Sequence, residues 1–435
     1  MTLAATTQRI LERCNVLADI SQTPGVVDRR YLTPEHQQAN TQVQQWMTEA
    51  GLSTWQDAVG NIWGRAVSHN PDAPALIIGS HLDTIPDAGR FDGILGVLLA
   101  LEAAASVVDG DLPFHVDVVG FCDEEGSRFG TTLMGSKAVA GHWNPDWLDV
   151  RDAHDVSLAD AMRAFGLDPV KADQAARQSN EVIGFWEVHI EQGPVLEAER
   201  LPVGIVTGIA GAKRAHITLE GQAGHAGTTP MHLRRDALVG MAELVVQVEQ
   251  LVQQANTHLD EPAVATVGQV FVNPGAVNVI PGRAIASLDI RSLNDQDRDD
   301  LIETINHAAE HIAAQRHLGL GWRFQHAADA VQCDTAFQQL FADALQAVDL
   351  PVYHLSSGAG HDAMAMAALC PMAMLFIRSP AGLSHHPMEA VVADDITQVL
   401  TVLQLSLQQL EKKFVKNLTN RSDYHYTASS IAAKP

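Results

Sequence analysis

Residues 75–84 read ALIIGSHLDT, an apolar run that ends on a histidine and an aspartate. The run Ala75 to Gly79 predicts a buried strand, and the apolar stretch Ile94 to Val108 predicts the helix that follows it. Three more apolar runs predict strands at Phe114 to Phe121, Ile183 to Ile190 and Met372 to Ile377. Strands that alternate with helical patterns are typical of an α/β fold, in which the central sheet is mostly parallel.

The pattern changes between residues 212 and 327. The elements predicted there follow the order β-α-β-β-α-β: Ala215 to Leu219, Asp236 to Gln254, Ala263 to Val272, Arg283 to Ile290, Asp297 to Arg316 and Gly321 to Gln325. This is the order of the split ferredoxin-like unit, which can bury a two-layer core by itself. We therefore expect a discontinuous first domain, residues 1–211 and 328–435, and an inserted second domain, residues 212–327.

The C-terminal part of the chain predicts one more helix and a tail. The helix is expected from about Asp394 to Phe414. After about Lys416 the sequence is polar and aperiodic, which is typical of a loose segment or of one that lies on the surface.

Composition excludes several classes of protein. Lys and Arg number 28 and Asp and Glu 52, so the net charge of −24 repels nucleic acid and anionic lipid. The longest apolar stretch, Ile94 to Val108, is too short to span a bilayer. The four cysteines include no C-x-x-C pair, which favours reduced thiols over disulfides or a cysteine-rich zinc site. We expect a cytoplasmic protein with a small-molecule substrate.

Histidines and carboxylates follow the predicted strands, at the edge of the sheet where open parallel sheets bind ligands. His81 and Asp83 are two residues apart on an extended segment, so the carboxylate can orient the ring. Asp92 opens the next helix, where a simple helix cap is the alternative. Glu124 and Glu125 point opposite ways after the second strand, so one can bind a metal and the other can act as a general base; the alternative is a solvated acidic loop.

Two further histidine positions complete this set. His189 ends the third strand, and the doublet His385-His386 follows the fourth. Together the strand ends offer imidazoles and carboxylates to two ions, from His81, Asp92, Glu125, His189 and His385. Mixed ligands of this kind suit Zn²⁺ or Mn²⁺, with Asp92 short enough to bridge. Since two ions about 3.5–4 Å apart clamp a hydrolytic transition state, we expect a di-metal hydrolase.

Nine motifs, in one order, resemble the hydantoinase–carbamoylase family of di-metal amidohydrolases, which is related to di-zinc metallopeptidases. They are GSHLDT (79–84), FDGILG (91–96), DEEGSRF (123–129), EVHIEQGPVLE (187–197), GHAGTTPM (224–231), NVIPG (278–282), DIR (289–291), SGAGHDA (357–363) and SHHPME (384–389). The match runs from about residue 20 to residue 405. The resemblance implies a metal-binding catalytic domain of the di-metal peptidase type. It also implies that the inserted domain is a lid through which a homodimer forms.

The resemblance also implies roles around the metal ions. His81, Asp92, Glu125, His189 and His385 would be the ligands, with Asp92 bridging. His385 is preferred to His386 because the family's ligand follows directly on the serine. Asp83 would orient His81, and Glu124 would be the general acid and base.

Other residues would bind the substrate. His225 would polarise the scissile carbonyl, reaching across the dimer. Asn278 and Arg291 would hold the substrate carboxylate, while Gln192 and the backbone of Gly358 to Gly360 would close the pocket. Arg291 has an independent argument, because a protein of charge −24 needs a fixed local cation to bind an anion. Without the motif, a surface salt bridge is the simpler interpretation of Arg291.

Within the family the motifs DEEGSRF and GAGHDAMAM (358–366) favour allantoate, cleaved at its ureido group to ureidoglycine, ammonia and CO₂ in purine nitrogen catabolism. An N-carbamoyl-L-amino acid is the alternative substrate, because it also carries a carboxylate and a ureido group. Two rivals from other classes remain. One is a cysteine-dependent carbamoyl amidase that uses Cys122, and the other is a non-catalytic metal-binding protein.

Overall fold

The computed structural model describes residues 2–419, with side chains as far as Lys416. The chain divides into two compact units. The first contains the residues up to Thr207, Cys333–Leu355 and the residues from His361 onward, and the second contains Gly208–Gln332 and Ser356–Gly360. Along the described chain no helix is long and apolar enough to cross a membrane.

The helices are α1 (Leu3–Asp19), α2 (Pro34–Glu49), α3 (Ile94–Ala105), α4 (Met134–Val139), α5 (Leu158–Phe165), α6 (Val195–Glu199), α7 (Ala237–Ala255), α8 (Asp295–Arg316), α9 (Thr335–Ala347), α10 (Asp362–Met366) and α11 (Ala393–Thr419).

The strands are β1 (Ser53–Gln56), β2 (Ile62–Ala66), β3 (Ala75–His81), β4 (His115–Phe121), β5 (Val182–Ile190), β6 (Val203–Ile209), β7 (Gly211–Glu220), β8 (Gly224–His225), β9 (Val264–Thr266), β10 (Val270–Asn273), β11 (Val279–Ile280), β12 (Arg283–Ser292), β13 (Gly319–Ala328), β14 (Val331–Gln332), β15 (His354–Ser357) and β16 (Met372–Ile377).

The sheet of the first unit has the strand order β1-β2-β4-β3-β5-β16-β6. Its four central strands, β4, β3, β5 and β16, are parallel to one another. The outer pairs β1–β2, β2–β4 and β16–β6 are antiparallel. The predicted α/β fold is therefore confirmed, with the refinement that the sheet is mixed and that only its centre is parallel.

The helix α3 explains why this sheet has a large core. Its residues from Ile94 to Ala104 are buried on all sides, and it contacts β3, β4 and β5 as well as α1 and α11. Its one charged residue, Glu102, pairs with Arg9 and Arg13 of α1, so the buried charge is neutralised. The helix ends at Ala105, three residues before the predicted end, and Ser106 follows it with its hydroxyl donating to the carbonyl of Ala103.

The second unit has a four-stranded antiparallel core in the order β10-β12-β7-β13, with β9 also paired to β12. Alternate residues of β7 and β12, such as Ile217 and Leu288, form one hydrophobic cluster with residues of α7 and α8. The predicted single strand 263–272 is two strands. Three residues, 267–269, lie opposite two residues of β12, 287–288, so the extra residue breaks the ladder as a bulge.

The chain leaves the first unit after Thr207 and returns at Cys333. The backbone N–H of Cys333 donates to the carbonyl of Thr207 at 2.9 Å, so the two ends of this segment are adjacent. At the C-terminus, α11 continues to Thr419, beyond the predicted end at Phe414. The rest of the tail predicted after Lys416 lies outside the described residues.

His36, in the first turn of α2, is a buried imidazole held by one hydrogen bond. Its Nδ1 accepts the backbone N–H of Leu32 at 3.1 Å, and its ring stacks on Phe165 with the ring centres 5.0 Å apart. Burial, with a smaller contribution from the charge of Arg29, lowers the pKa of His36 to about 3. The imidazole is therefore neutral in the folded protein at every pH above that value.

We predict that His36 makes the protein less stable as the pH falls below about 6.5, where this imidazole is protonated in the unfolded chain only. Its contribution to the loss of unfolding free energy approaches about 1.4 kcal/mol per pH unit. The variant His36→Asn should be less stable at pH 7.5 but should lose stability less steeply between pH 6.5 and 4.5. Denaturant unfolding at several pH values measures this difference, and parallel curves for the two proteins would contradict it.

Candidate metal centre

Asp92, in the turn before α3, lies between two buried histidines. Its Oδ1 is 3.1 Å from Nε2 of His189 and 3.5 Å from Nε2 of His81. All three side chains are at most 3% exposed. His81 is the last residue of β3, and His189 is the last but one of β5. Because β3 and β5 are parallel neighbours, their carboxyl ends bring the two rings to the same edge of the sheet.

The other carboxylate oxygen of Asp92 faces a second group. Its Oδ2 is 3.3 Å from Nε2 of His385, and the same nitrogen is 3.4 Å from Oε1 of Glu125. The His385 side chain is 47% exposed, so this group is more open than the first. His386 is turned elsewhere, since its Nδ1 accepts the backbone N–H of Met388. Of the two adjacent histidines, the structure therefore brings His385 to Asp92.

The five predicted ligands thus form two groups of three that share Asp92. The ligand atoms of His81, Asp92 and His189 lie within 4.8 Å of one another, as do those of Asp92, Glu125 and His385. We call these the inner group and the outer group.

Hydrogen bonds at Nδ1 fix how two of these rings can act. Nδ1 of His81 is 2.9 Å from the carbonyl of Asp83, and Nδ1 of His189 is 2.9 Å from the carbonyl of Ile190. A carbonyl can only accept, so each Nδ1 carries a proton, and in its neutral form each ring turns the lone pair of Nε2 towards Asp92. Two lone pairs and a carboxylate that converge on one point are the donor set of a divalent cation. The nitrogen and oxygen donors, without a thiolate, fit Zn²⁺ or Mn²⁺.

The electrostatics around Asp92 follow from this arrangement. Burial would raise the pKa of the Asp92 carboxyl, but the contacts with His189, His385 and His81 hold that pKa well below its usual value. The carboxylate is therefore ionised and available as a ligand to both groups.

Asp83 is next to the centre but acts through different atoms from those expected. The sequence suggested that its carboxylate orients His81, whereas the nearest carboxylate oxygen is 3.8 Å from Nδ1 and the backbone carbonyl makes the short contact. The carboxylate instead accepts the backbone N–H groups of Glu124 and Glu125, at 3.0 and 3.2 Å. Asp83 therefore links the carboxyl end of β3, where His81 lies, to Glu124 and Glu125 after β4.

Glu124 is half-buried beside this centre. Burial raises the pKa of its carboxyl well above the ordinary value; His81 opposes this rise when its ring is protonated, and the negative charge of Glu125 adds to the rise. A carboxyl group with a raised pKa can take up a proton and release it at moderate pH, as a general base and acid must.

Gly93, in the motif FDGILG, is required by the position of His81. It has a φ of 69°, which side-chain-bearing residues rarely adopt, and a Cβ added there would lie 2.4 Å from Nε2 of His81. The glycine therefore lets the turn that carries Asp92 approach the ring closely. The motif alone does not reveal this role of the glycine.

Gln192 was expected to line the substrate pocket, and it contacts the metal centre. Its side-chain nitrogen donates to Oδ2 of Asp92 at 3.0 Å and to Oγ of Ser384 at 2.9 Å. Sequence reasoning missed Ser384 and Glu389 altogether. Both lie in SHHPME, the motif that contains His385, so the signal was present in the pattern.

In the second unit, His225 and Asn278 are brought together by a short two-stranded pairing. His225 of β8 pairs with Val279 of β11, and the N–H of Ala226 donates to the carbonyl of Asn278 at 2.9 Å. Nδ1 of His225 accepts the N–H of Gly227 at 3.1 Å, so the proton of the neutral ring is on Nε2. The exposed ring therefore presents an N–H donor.

Arg291 of β12 is fixed by Asp289, two residues earlier on the same face. Its Nε and Nη2 donate to the two carboxylate oxygens of Asp289 at 2.7 and 3.0 Å, and its Nη1 donates to the carbonyl of Gly358 at 2.6 Å. Gly360 lies in the same short segment, 356–360, of the second unit. The structure thus joins Arg291 to one of the glycines that sequence reasoning grouped with it.

The structure gives no support to Cys122 as a nucleophile. All four cysteines are buried and free. The Cys122 thiol points to the carbonyl of Val59 at 3.4 Å, and burial, followed by the charge of Asp57, raises its pKa well above the usual value. The reactive thiolate is therefore disfavoured.

Comparisons with known proteins identify relatives that match most of the chain. The sequence model of peptidase family M20/M25/M40 matches residues 77–409. An N-carbamoyl-L-amino acid amidohydrolase from Geobacillus stearothermophilus is 40% identical over 93% of this chain and 98% of its own. An allantoate deiminase from Arabidopsis thaliana is 37% identical over 88% of this chain and 78% of its own.

A solved structure is also similar over nearly the whole chain. It is an amidase of the hydantoinase/carbamoylase family from Burkholderia multivorans, with a TM-score of 0.86 and 32% identity over 93% of this chain and 97% of that one. The chain therefore belongs to peptidase family M20/M25/M40, and its kinship with the hydantoinase/carbamoylase amidases makes it a hydrolase of carbon–nitrogen bonds other than peptide bonds.

Proposed function

We propose that the protein is a metal-dependent amidohydrolase that cleaves the ureido group of allantoate to give ureidoglycine, ammonia and CO₂. The observation that carries the reaction type is the convergence of His81, His189, His385 and Glu125 on the two oxygens of Asp92. The motifs DEEGSRF and GAGHDAMAM favour allantoate. The Geobacillus relative, at 40% identity, supports an N-carbamoyl-L-amino acid as the second candidate.

Two divalent ions fit the inner and outer groups, with Asp92 as the shared ligand. When bound, such ions polarise a carbonyl group and lower the pKa of a water to about 7. Zn²⁺ and Mn²⁺ both suit these donors.

Glu124 moves the proton in the proposed reaction. It accepts a proton from the water that attacks the ureido carbonyl carbon and then donates a proton to the terminal nitrogen. The bond between that nitrogen and the carbonyl carbon breaks, so ammonia leaves. The remaining carbamate then loses CO₂. One water is consumed for every ammonia and every CO₂ released.

His225 is the proposed donor to the developing oxyanion, because its neutral ring carries the free proton on Nε2. We expect this ring to reach across a homodimer that forms through residues 212–327. That homodimer, the lid role of the same residues and the cytoplasmic location stay predictions.

Arg291 is the proposed receptor for the substrate carboxylate, together with Asn278. A guanidinium has five N–H groups, and Asp289 and Gly358 occupy three of those on Arg291. Within the described part of the chain, the remaining two have no acceptor, and one is on each terminal nitrogen. They match the two oxygens of a carboxylate.

The substrate proposal is tested with metal-loaded protein by measuring ammonia release from allantoate and from several N-carbamoyl-L-amino acids, and by measuring the free amino acids released from a dipeptide. We expect allantoate to be preferred at least tenfold in kcat/KM. A preference for a carbamoyl amino acid would replace allantoate by the second candidate. Turnover of the dipeptide alone would contradict the proposed reaction.

We predict that Glu124→Gln lowers kcat by at least about 10³-fold, because the amide cannot carry the proton. Metal content should stay that of the wild type, since Glu124 belongs to neither ligand group. Metal analysis and steady-state kinetics on the same preparation check both statements. A variant that holds its metal and keeps more than a tenth of the activity would exclude this role for Glu124.

We predict that Arg291→Lys lowers kcat/KM for a carboxylate substrate by about 10- to 100-fold, because a lysine cannot offer the paired N–H groups; this is about 1.4–2.8 kcal/mol. The substrate's primary carboxamide should be hydrolysed equally by both proteins. Arg214→Lys is the matched control, since Arg214 also contacts Asp289 but lies outside the proposed receptor. Equal losses for the carboxylate and its carboxamide would contradict the assignment.

A further inference from the structure

The two ligand groups differ in how their residues are held. The histidines of the inner group are on β3 and β5, two paired strands at the centre of the sheet. His385 of the outer group is in the segment 384–389, between β16 and α11, and has a φ of 55°. The outer group therefore depends on whatever fixes this segment against the turn that carries Asp92.

Glu389, at the end of the segment, makes that connection. Its side chain is buried, and its Oε1 accepts the backbone N–H groups of Phe91 and Asp92 at 2.9 and 3.1 Å. Hydrogen bonds from backbone N–H groups to a buried carboxyl oxygen are strong, because no water competes for either partner. A residue 297 positions further along the chain thus holds the Asp92 backbone.

Ser384, at the other end of the segment, links the same partners through side chains. Its hydroxyl is 3.1 Å from Oδ2 of Asp92 and 3.3 Å from Oε2 of Glu389. It also accepts an N–H from Gln192, whose second N–H goes to Asp92. His385 therefore lies inside a segment that is tied to Asp92 at both ends.

The chain makes room for the Glu389 side chain. A Cβ added to Gly89 would lie 2.2 Å from the Glu389 carboxyl group, so a larger residue could not stand there without displacing it. The turn before α3 is thus shaped around Glu389 as well as around His81.

We propose that Glu389 is a positioning residue that keeps His385 in reach of Asp92, and so sets the affinity of the outer group for its metal ion without contacting that ion. This inference rests on the proposed two-ion function. Loss of Glu389 releases the segment that carries His385 and removes two backbone contacts of the shared Asp92 turn, whereas His81 and His189 of the inner group stay on paired strands. The expected defect is therefore the selective loss of one ion of the two.

The test titrates metal-free protein with Zn²⁺ or Mn²⁺ by calorimetry and measures the metal content after dialysis. For Glu389→Ala we expect the weaker site to lose at least tenfold in affinity and the tighter site to change less than threefold. Glu389→Gln should be intermediate, because its amide oxygen still accepts the two backbone N–H groups. The matched control is Asp236→Ala, which also removes a carboxylate that accepts two backbone N–H groups, those of Leu238 and Val239.

A second measurement needs no metal. Hydrogen exchange of the backbone amides of Phe91, Asp92 and Glu389 in the metal-free protein should be faster in Glu389→Ala than in the wild type and unchanged in the control. Wild-type affinity at both sites, or equal weakening of both sites in a folded Glu389→Gln protein, would overturn the inference. A wild type that binds no ion would refute the proposed function instead, and the exchange rates would still decide the role of Glu389.

Discussion

The centre of this protein depends on one electrostatic constraint, the meeting of lone pairs at Asp92. Nε2 of His81 and Nε2 of His189 both face the same carboxylate oxygen, while their Nδ1 protons are committed to backbone carbonyls. Acceptors that face each other at about hydrogen-bonding distance repel unless a positive charge lies between them. Strand register, the glycine at position 93 and the carboxylate of Asp83 all maintain a geometry that only a cation, or extra protons, can satisfy.

The sequence predicted the parts of this arrangement that follow from strand periodicity. Apolar runs located β3, β4, β5 and β16 to within two residues at each end, and the rule that ligands gather at the carboxyl ends of parallel strands grouped their terminal histidines and carboxylates. The motif order identified the family. Antiparallel pairing at the sheet edges was not predictable, because an apolar strand reads the same in either direction.

What the sequence could not provide is the assignment of atoms. A pattern such as H-x-D places Asp83 beside His81 but does not reveal that the carbonyl contacts the ring while the carboxylate binds Glu124 and Glu125. The contact between Glu389 and Asp92 spans most of the chain, and no local periodicity encodes it. The bulge at residues 267–269 was missed for a different reason, since its apolar flanks resemble one continuous strand.

The position of β16 between β5 and β6 has a consequence for synthesis on the ribosome. The second unit has all the strands of its antiparallel core once residue 328 has been made, so that core can form while translation continues. The large sheet must wait for residue 377, because β6 has no neighbour on its β5 side until then. The nascent chain can therefore carry a folded insert before the large sheet is complete. At that stage the strand edges of the unfinished sheet are exposed, and chaperones would be needed most.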